Sequence, residues 1–227
     1  MPAVPAAIRG FDVEAARAHL ARCDRKLARW LDRIAPIAPD PRWLEPFDPV
    51  DALARAILYQ QLSGRAAGTI VARVEQGIGS VRLHADTLDR LDDDALRACG
   101  VSRNKVRALR DLAARERLGE VPGVDDMAGL SDEQIIGALT PIRGIGRWTV
   151  EMMLVFRLGR PDVLPIDDLG VRRGVQFVDR LDEMPRPREL AARGERWRPC
   201  RSLAALALWR IADLATGAGA PVKRSQE

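Results

Sequence analysis

The sequence predicts an all-α protein of two helical lobes with a cleft between them. Almost every apolar segment repeats at helical spacing, and alternating strand patterns are scarce. The apolar fraction of 47% and the charged fraction of 30% are ordinary for a globular protein and argue against disorder, collagen and coiled coil. A chain of 227 residues is long enough to bury a core in one large domain or in two small lobes.

Capping residues and glycine stops predict the helices in chain order. Asp12 is expected to cap a first helix that continues through Leu31, and prolines between residues 36 and 46 predict an extended connection after it. Asp48 is expected to cap the next helix. Further helices are predicted near residues 65–76, 87–91, 93–98 and 104–116.

The helices are predicted to divide into a central bundle and a second lobe. Residues 48–129 form the predicted bundle, and residues 1–47 with 130–227 form the second lobe. The segment from 198 to 215 is too apolar to stand alone, so we expect it to pack with the N-terminal helix.

Charge and cysteine content exclude several classes of protein. With 36 basic and 32 acidic residues the net charge is +4, so a polyanionic partner must meet a local basic patch. Three cysteines without a Cys-x-x-Cys pair exclude a four-cysteine zinc or iron-sulfur site and argue against a disulfide framework. Since no basic and apolar leader or long apolar run occurs, we expect a cytoplasmic protein without a membrane partner.

Residues 131–159 read as two helices joined by a tight, glycine-containing turn. Ser131 and Gln134 match a capping box that starts the first helix. Gly144 and Gly146 lie at the junction, where glycine allows positive φ and lets another backbone approach closely. Backbone N–H groups at the start of the following helix suit a phosphate oxygen. The pattern indicates a candidate clamp for a nucleic-acid backbone.

The glycine pair has two other interpretations. A dinucleotide-binding loop is disfavoured because no strand precedes Gly144 and Thr149 occupies the position of the third glycine. A plain turn between packed helices is as compatible with Gly144 and Gly146 as the clamp is, when the two glycines are taken alone.

The downstream sequence favours the clamp. Residues 139–173 resemble the helix-hairpin-helix motif with its Gly/Pro-rich segment and final aspartate, the signature of a large DNA glycosylase superfamily. The Trp148-Thr149 pair and the adjacent Asp167 and Asp168 are similar to the 3-methyladenine DNA glycosylase II branch.

Two further segments agree with this branch. They are residues 56–63 and residues 197–202 leading to Trp209, so that the resemblance covers about residues 50–209. The chain resembles the compact form of the family, because it has no room for the additional N-terminal mixed domain of larger relatives.

The resemblance implies a monofunctional DNA glycosylase that flips alkylated purines out of duplex DNA and hydrolyses the N-glycosidic bond in base excision repair. It places the catalytic carboxylate at Asp168, within a catalytic segment at residues 160–174, and leaves Asp167 to bond the backbone at a helix start. The alternative is that both aspartates merely cap the helix that begins at Leu169. Bifunctional relatives carry a lysine where Trp148 stands, so water is the expected nucleophile and no lyase activity is expected.

The resemblance also carries over a base pocket and DNA contacts. A cationic alkylated purine is attracted to aromatic faces, and the alternative role for the tryptophans is core packing. The implied pocket residues are Tyr59, Trp148, Met152 and Trp209. The implied DNA contacts are Gln61 as the wedge with Leu62 second, then Arg103, Lys105, Gly144, Gly146, Arg147 and Thr149. An ordinary polar turn between helices is the alternative for Gln61.

The expected cofactor set is minimal. The resemblance implies that no cofactor is required for activity. It also implies a structural Na⁺ or K⁺ ion on the backbone carbonyls of Thr140, Ile142 and Ile145. The expected partner is double-stranded DNA with alkylated bases, bound by a monomer in the nucleoid-associated cytoplasm. A non-enzymatic helix-hairpin-helix module and a glycosylase for oxidised, mismatched or deaminated bases are the rival functions.

Overall fold

The computed structural model describes residues 9–216, which form thirteen α-helices, two short 3₁₀ helices and no strand. The all-α prediction is therefore confirmed. The 3₁₀ helices are Pro41–Trp43 and Glu195–Trp197. The α-helices are α1 (Val13–Cys23), α2 (Arg25–Leu31), α3 (Pro49–Tyr59), α4 (Gly64–Ile78), α5 (Ala85–Leu88), α6 (Asp93–Ala98), α7 (Arg103–Arg117), α8 (Val124–Ala128), α9 (Asp132–Leu139), α10 (Arg147–Phe156), α11 (Leu169–Asp179), α12 (Pro187–Gly194) and α13 (Arg201–Ala215).

The described residues fall into two compact units. The central unit comprises residues 45–150, and the second unit comprises residues 9–44 and 151–216. The sequence placed the boundary after residue 129, and the structure moves it to residue 150. The physical reason is that the turn after α9 is fastened to the bundle: the Arg143 N–H donates to the carboxylate of Asp111 on α7 at 2.7 Å. Residues 1–8 and 217–227 of the predicted second lobe lie outside the described residues.

The first predicted helix is two helices in the structure. Asp24 adopts an extended conformation, with φ −145° and ψ 93°, and separates α1 from α2. Its carboxylate accepts the N–H groups of Lys26 and Leu27, both at 3.1 Å, and the indole N–H of Trp197 at 2.8 Å. The prediction of one continuous helix was wrong because apolar periodicity continues across Asp24, while the partner that holds Asp24 in place lies far along the chain.

The predicted caps are present. Asp12 accepts the N–H of Ala15, Asp48 accepts those of Val50 and Asp51, and Ser131 forms its capping box. The helices expected near residues 65–76, 93–98 and 104–116 match α4, α6 and α7, and the segment expected at 87–91 is the shorter α5 at Ala85–Leu88.

The core of the central unit lies where α3 packs against α4 and α7. Leu53, Ile57 and Leu58 of α3 are buried, as are Leu109 and Leu112 of α7. Because this apolar face holds α3 rigidly, the residues that follow Tyr59 leave the helix at a fixed position.

The second unit is built around the contact between α11 and α13. A Cβ atom added at Gly174 of α11 would lie 2.3 Å from the Leu208 carbonyl oxygen of α13, so the two backbones approach closely there. Leu20 of α1 and the fully buried Trp197 belong to the same apolar cluster. Within residues 9–216, no helix combines the length and apolar character needed to cross a bilayer.

A buried histidine ties α3 to the loop before α5 and to α7. The imidazole of His84 contacts Glu116 through Nδ1 at 2.5 Å and Asp48 through Nε2 at 2.7 Å. Burial alone would lower the pKa of His84, but the hydrogen bond to Glu116 and the negative charge of Asp48 outweigh it and raise this pKa above its ordinary value.

The Gly174→Ala substitution is expected to destabilise the protein by about 2–4 kcal/mol, because the new methyl group has to separate α11 from α13. Gly137→Ala in α9 is the matched control, since a Cβ there meets no atom within 4 Å and alanine is the better helix former. Urea unfolding followed by circular dichroism measures both. Equal stability of the two variants would show that the α11–α13 contact is loose.

The raised pKa of His84 predicts a pH dependence of stability. The folded protein binds the His84 proton more tightly than the unfolded chain, so the stabilisation is fully present below the unfolded pKa and is lost as pH rises through the folded pKa. The free energy of unfolding, measured by urea titration between pH 5 and 9, should therefore fall with rising pH more steeply in the wild type than in His84→Gln. Parallel profiles of the two proteins would contradict this expectation.

Candidate active site and nucleic-acid interface

The predicted hairpin comprises α9, a tight turn and α10. At its start, the Ser131 hydroxyl accepts the Gln134 N–H at 3.2 Å, and the Gln134 side chain accepts the Ser131 N–H at 2.8 Å. At the turn, Gly144 has φ +81°, a conformation that favours glycine. The Gln60 side-chain amide donates to the Gly144 carbonyl at 2.7 Å, which fastens the turn to the end of α3.

Gly146 precedes α10 and differs from Gly144. Its carbonyl accepts the N–H groups of Thr149 at 3.0 Å and Val150 at 3.3 Å, so it begins the helix. A Cβ at Gly146 would meet no protein atom within 4 Å, and Gly146 is exposed. Another molecule therefore has room to approach the positive end of the α10 dipole at this point.

The turn also contains the three carbonyl groups named as cation ligands. Ile142 and Ile145 have buried side chains, and the Ile142 carbonyl accepts the Ile145 N–H at 3.0 Å, which leaves its second lone pair for another partner. Carbonyl oxygens are hard donors of the kind that alkali cations accept, so Thr140, Ile142 and Ile145 fit the ion in type. No cluster of three metal-ligating side chains occurs within the described part of the chain.

The segment after α3 presents three exposed side chains. Tyr59 is 43% exposed and Leu62 is 41% exposed, and Gln61 is exposed between them. Gln61 has φ +57°, a left-handed conformation that is costly for a residue other than glycine. With φ −52° and ψ 134° at Gln60 and the Leu62 N–H donating to the Tyr59 carbonyl at 3.3 Å, residues 59–62 form a type II turn in which Gln61 is the left-handed residue.

The basic residues named as phosphate contacts differ in their surroundings. Arg103 is exposed at the start of α7. Arg147 is exposed and forms an ion pair with Glu133. The Lys105 ammonium donates to the Leu58 carbonyl at 2.7 Å, and its partial burial lowers the pKa of Lys105. The Lys105 ammonium is thus engaged by a carbonyl in the last turn of α3, and its role as a phosphate contact stays a prediction.

Trp148 and Met152 lie one turn apart on α10. Trp148 is 50% exposed, which is unusual for an indole whose role is core packing, and Met152 is half-buried. Thr149 follows Trp148 in the first turn of the same helix. An exposed indole beside the start of a helix offers a flat surface for an aromatic ligand.

Asp168 is the N-cap of α11. Its Oδ1 atom accepts the Val171 N–H at 2.9 Å and the Trp209 indole N–H at 2.8 Å. The expectation that Asp167 would bond the backbone at the helix start is corrected, because Asp168 performs that role and Asp167 is exposed. Capping α11 does not prevent Asp168 from acting in catalysis, because the two hydrogen bonds that it accepts also orient its carboxylate.

Trp209 is held beside Asp168 by a second aromatic ring. The rings of Trp209 and Phe156 are stacked, with centroids 5.6 Å apart and an interplanar angle of 24°. Phe156 therefore covers part of the indole surface of Trp209, and the indole N–H donates to Asp168. Both contacts lie within the second unit, and Trp209 is half-buried there.

Sequence reasoning missed three residues of this region: Gln60, Phe156 and Gly170. Gln60 belongs to the polar step that the sequence identified, but its contact with the Gly144 carbonyl was not anticipated. Gly170 follows the aspartate pair by two positions, a spacing that could have marked it as a site of close approach. Phe156 carried no local signal, because its partner Trp209 lies far along the chain.

Comparison with known proteins gives consistent similarities. The chain is 35% identical over 201 residues to DNA-3-methyladenine glycosylase 1 of Schizosaccharomyces pombe. The aligned region covers 88% of this chain and 88% of that relative. It is 30% identical over 190 residues to DNA-3-methyladenine glycosylase 2 of Escherichia coli, covering 79% of this chain and 63% of the relative.

Two solved structures are similar over most of their length. The S. pombe 3-methyladenine DNA glycosylase in complex with abasic DNA superposes with a TM-score of 0.75, covering 88% of this chain and 98% of that one at 35% identity. A DNA-3-methyladenine glycosidase from Bacillus halodurans superposes with a TM-score of 0.81, covering 91% and 94% at 31% identity.

The family model for base excision DNA repair proteins of the HhH-GPD superfamily matches residues 54–199, more than half of the chain. With the capped hairpin and the carboxylate at the start of α11 in place, this chain belongs to the HhH-GPD superfamily of base excision DNA repair proteins.

Proposed function

We propose that the protein is a monofunctional DNA glycosylase that removes alkylated purines of the 3-methyladenine type from duplex DNA. The observation that carries the proposal is the carboxylate of Asp168, held at the start of α11 by the Val171 amide and the Trp209 indole in a chain that also contains a capped helix-hairpin-helix. The similar proteins described above are named 3-methyladenine glycosylases, and this supports the substrate class.

The chemistry requires an anion beside the deoxyribose. As the bond between C1′ and the base nitrogen breaks, the bonding electron pair leaves with the base and positive charge develops on the sugar. A preoriented carboxylate such as Asp168 stabilises that charge and orients a water molecule whose oxygen bonds to C1′. The water gives up one proton to bulk solvent, the cationic purine leaves as a neutral free base with the electron pair of the broken bond, and the sugar becomes an abasic site.

Water rather than a lysine is the proposed nucleophile. The two lysines within residues 9–216 are both engaged elsewhere: Lys105 bonds the Leu58 carbonyl at 2.7 Å, and Lys26 pairs with Asp179 at 3.2 Å. Trp148 occupies the position where bifunctional relatives carry a lysine. Without an amine at that position no Schiff base forms with the sugar, so the strand remains intact after base release.

The exposed hairpin is proposed to grip the DNA backbone. Gly146 leaves room for a phosphate oxygen at the start of α10, and Arg103 contributes positive charge, with Arg147 nearby in its ion pair with Glu133. We also propose that the carbonyls of Thr140, Ile142 and Ile145 hold a Na⁺ or K⁺ ion, which would supply an additional positive charge toward a phosphate. This contact positions the strand and takes no part in bond cleavage.

Base flipping is proposed to use the exposed residues after α3. Removing a base from the stack costs a few kcal/mol, and a side chain that fills the gap offsets part of that cost. Gln61, exposed in the turn that follows α3, is the proposed wedge, with Leu62 and Tyr59 beside it. The exposed face of Trp148 is proposed to stack on the flipped, positively charged purine.

Asp168→Asn is expected to reduce base release on the order of 10³-fold, because the amide retains both hydrogen bonds but carries no charge. Affinity for duplex DNA should be kept or increase, since a negative charge near phosphates has been removed. Single-turnover release from methylated duplex DNA and fluorescence anisotropy measure the two effects. Asp167→Asn, which changes an adjacent exposed carboxylate, should release bases at the wild-type rate. Unchanged release in Asp168→Asn would show that Asp168 only caps α11.

The wild-type protein should release bases from methylated duplex DNA and leave the strand uncut until alkali is added. Duplexes with 8-oxoguanine, an adenine mismatch or uracil should remain intact, because their bases are neutral and poorer leaving groups. Gel electrophoresis of end-labelled DNA, with and without alkali, reports both results. Activity confined to one of these three duplexes would overturn the substrate class, and binding without any release would indicate a non-enzymatic module.

A further inference from the structure

A series of side-chain contacts leads from Asp40 to the carboxylate of Asp168 within the second unit. The Arg42 guanidinium forms two hydrogen bonds across the Asp40 carboxylate, from Nε to Oδ1 at 2.9 Å and from a terminal nitrogen to Oδ2 at 2.6 Å. Thus oriented, it lies over the Phe156 ring at 4.7 Å from the ring centroid. Phe156 stacks with Trp209, whose indole N–H donates to Asp168 at 2.8 Å.

Gly170 determines whether the indole can reach Asp168. A Cβ atom at Gly170 would lie 2.7 Å from Cδ1 of Trp209, and 3.1 Å from both Nε1 of Trp209 and Oδ1 of Asp168. The first distance is shorter than real Cβ contacts, and the indole cannot yield freely because Phe156 stacks with it. Any side chain at position 170 therefore displaces the donor from the carboxylate.

We propose that Arg42, Phe156, Trp209 and Gly170 form a positioning set for Asp168, in which the Trp209 N–H fixes Oδ1 and thereby directs the carboxylate toward the reacting sugar. The inference rests on the proposed glycosylase function and deepens it. Trp209 was expected to stack on the flipped base; here it acts through Asp168, and Gly170 is the residue whose small size permits the contact.

The two hydrogen bonds to Oδ1 of Asp168 come from different helices, and together they restrict the orientation of the carboxylate. The Val171 N–H fixes Oδ1 relative to α11, the helix that Asp168 itself caps. The indole N–H arrives from α13 and adds a restraint from a second helix. Preorganising the charge before the cation develops avoids the cost of reorientation during bond cleavage.

The first test is Trp209→Phe, which retains an aromatic ring against Phe156 and removes the N–H donor. Single-turnover base release from methylated duplex DNA should slow by about 10- to 100-fold, the size expected for one hydrogen bond to a charged group. The Kd for a duplex with a stable abasic-site analogue should change by less than about threefold. Trp30→Phe, another half-buried tryptophan of the same cluster, is the matched control and should leave both quantities unchanged.

The second test is a double-mutant cycle with Gly170→Ala. Alone, this variant should slow base release by a similar factor, because the methyl group displaces the indole. The double variant should be no slower than the slower single variant, since both changes remove the same hydrogen bond. Multiplication of the two effects would show that the residues act independently and would overturn the proposal.

The outcomes separate this inference from the proposed function. If the wild type releases no base from methylated DNA, the proposed function fails. If the wild type is active and Asp168→Asn is inactive, while Trp209→Phe and Gly170→Ala release bases at the wild-type rate, only the positioning inference fails. Equal losses of release and of abasic-site binding would assign Trp209 to packing alone. If Trp209→Phe does not fold by circular dichroism, Gly170→Ala decides, and unfolding of both would also overturn the inference.

Discussion

The hydrogen bonds that the Val171 amide and the Trp209 indole donate to Asp168 connect the fold to the chemistry. A single carboxylate can stabilise a sugar cation only if it is held in place, and the N-terminus of α11 with the indole of α13 supplies that constraint. The close contact of the two helices at Gly174 brings the indole of α13 within reach of Asp168, whereas the Val171 N–H belongs to the first turn of α11 itself. The core of the second unit therefore sets the geometry of the proposed site.

The hairpin follows the same principle with backbone groups. Two hydrogen bonds within the central unit hold its turn. The Gln60 side-chain amide donates to the Gly144 carbonyl, and the Arg143 N–H donates to the Asp111 carboxylate. These contacts fix the orientation of the N–H groups and carbonyls that are proposed to meet DNA. Rigid support allows an exposed turn to present its backbone without the entropic cost of ordering a mobile loop on binding.

Positive charge on the surface is partly committed within the protein. Lys105 satisfies a carbonyl of α3, and Arg147 pairs with Glu133, so neither acts as an isolated cation. Internal pairing of this kind and the small net charge of +4 both lower the general attraction to polyanions. The proposed recognition of DNA therefore relies on the shape of the presented backbone as well as on basic residues.

The sequence by itself determined the features that depend on short-range patterns: the all-α class, the caps at Asp12, Asp48 and Ser131, and the turn at Gly144. Each is encoded by residues within one or two turns of one another, and so is the adjacent position of the aspartate pair.

Only the tertiary structure decided which aspartate is held and by what. Asp168 and Trp209 are separated by 41 positions, and Arg42 and Phe156 by more than a hundred, so no local pattern records their contacts. The break at Asp24 has the same cause, since its partner Trp197 lies 173 positions away. Local propensity is additive along the chain, whereas these contacts arise when distant segments pack into one core.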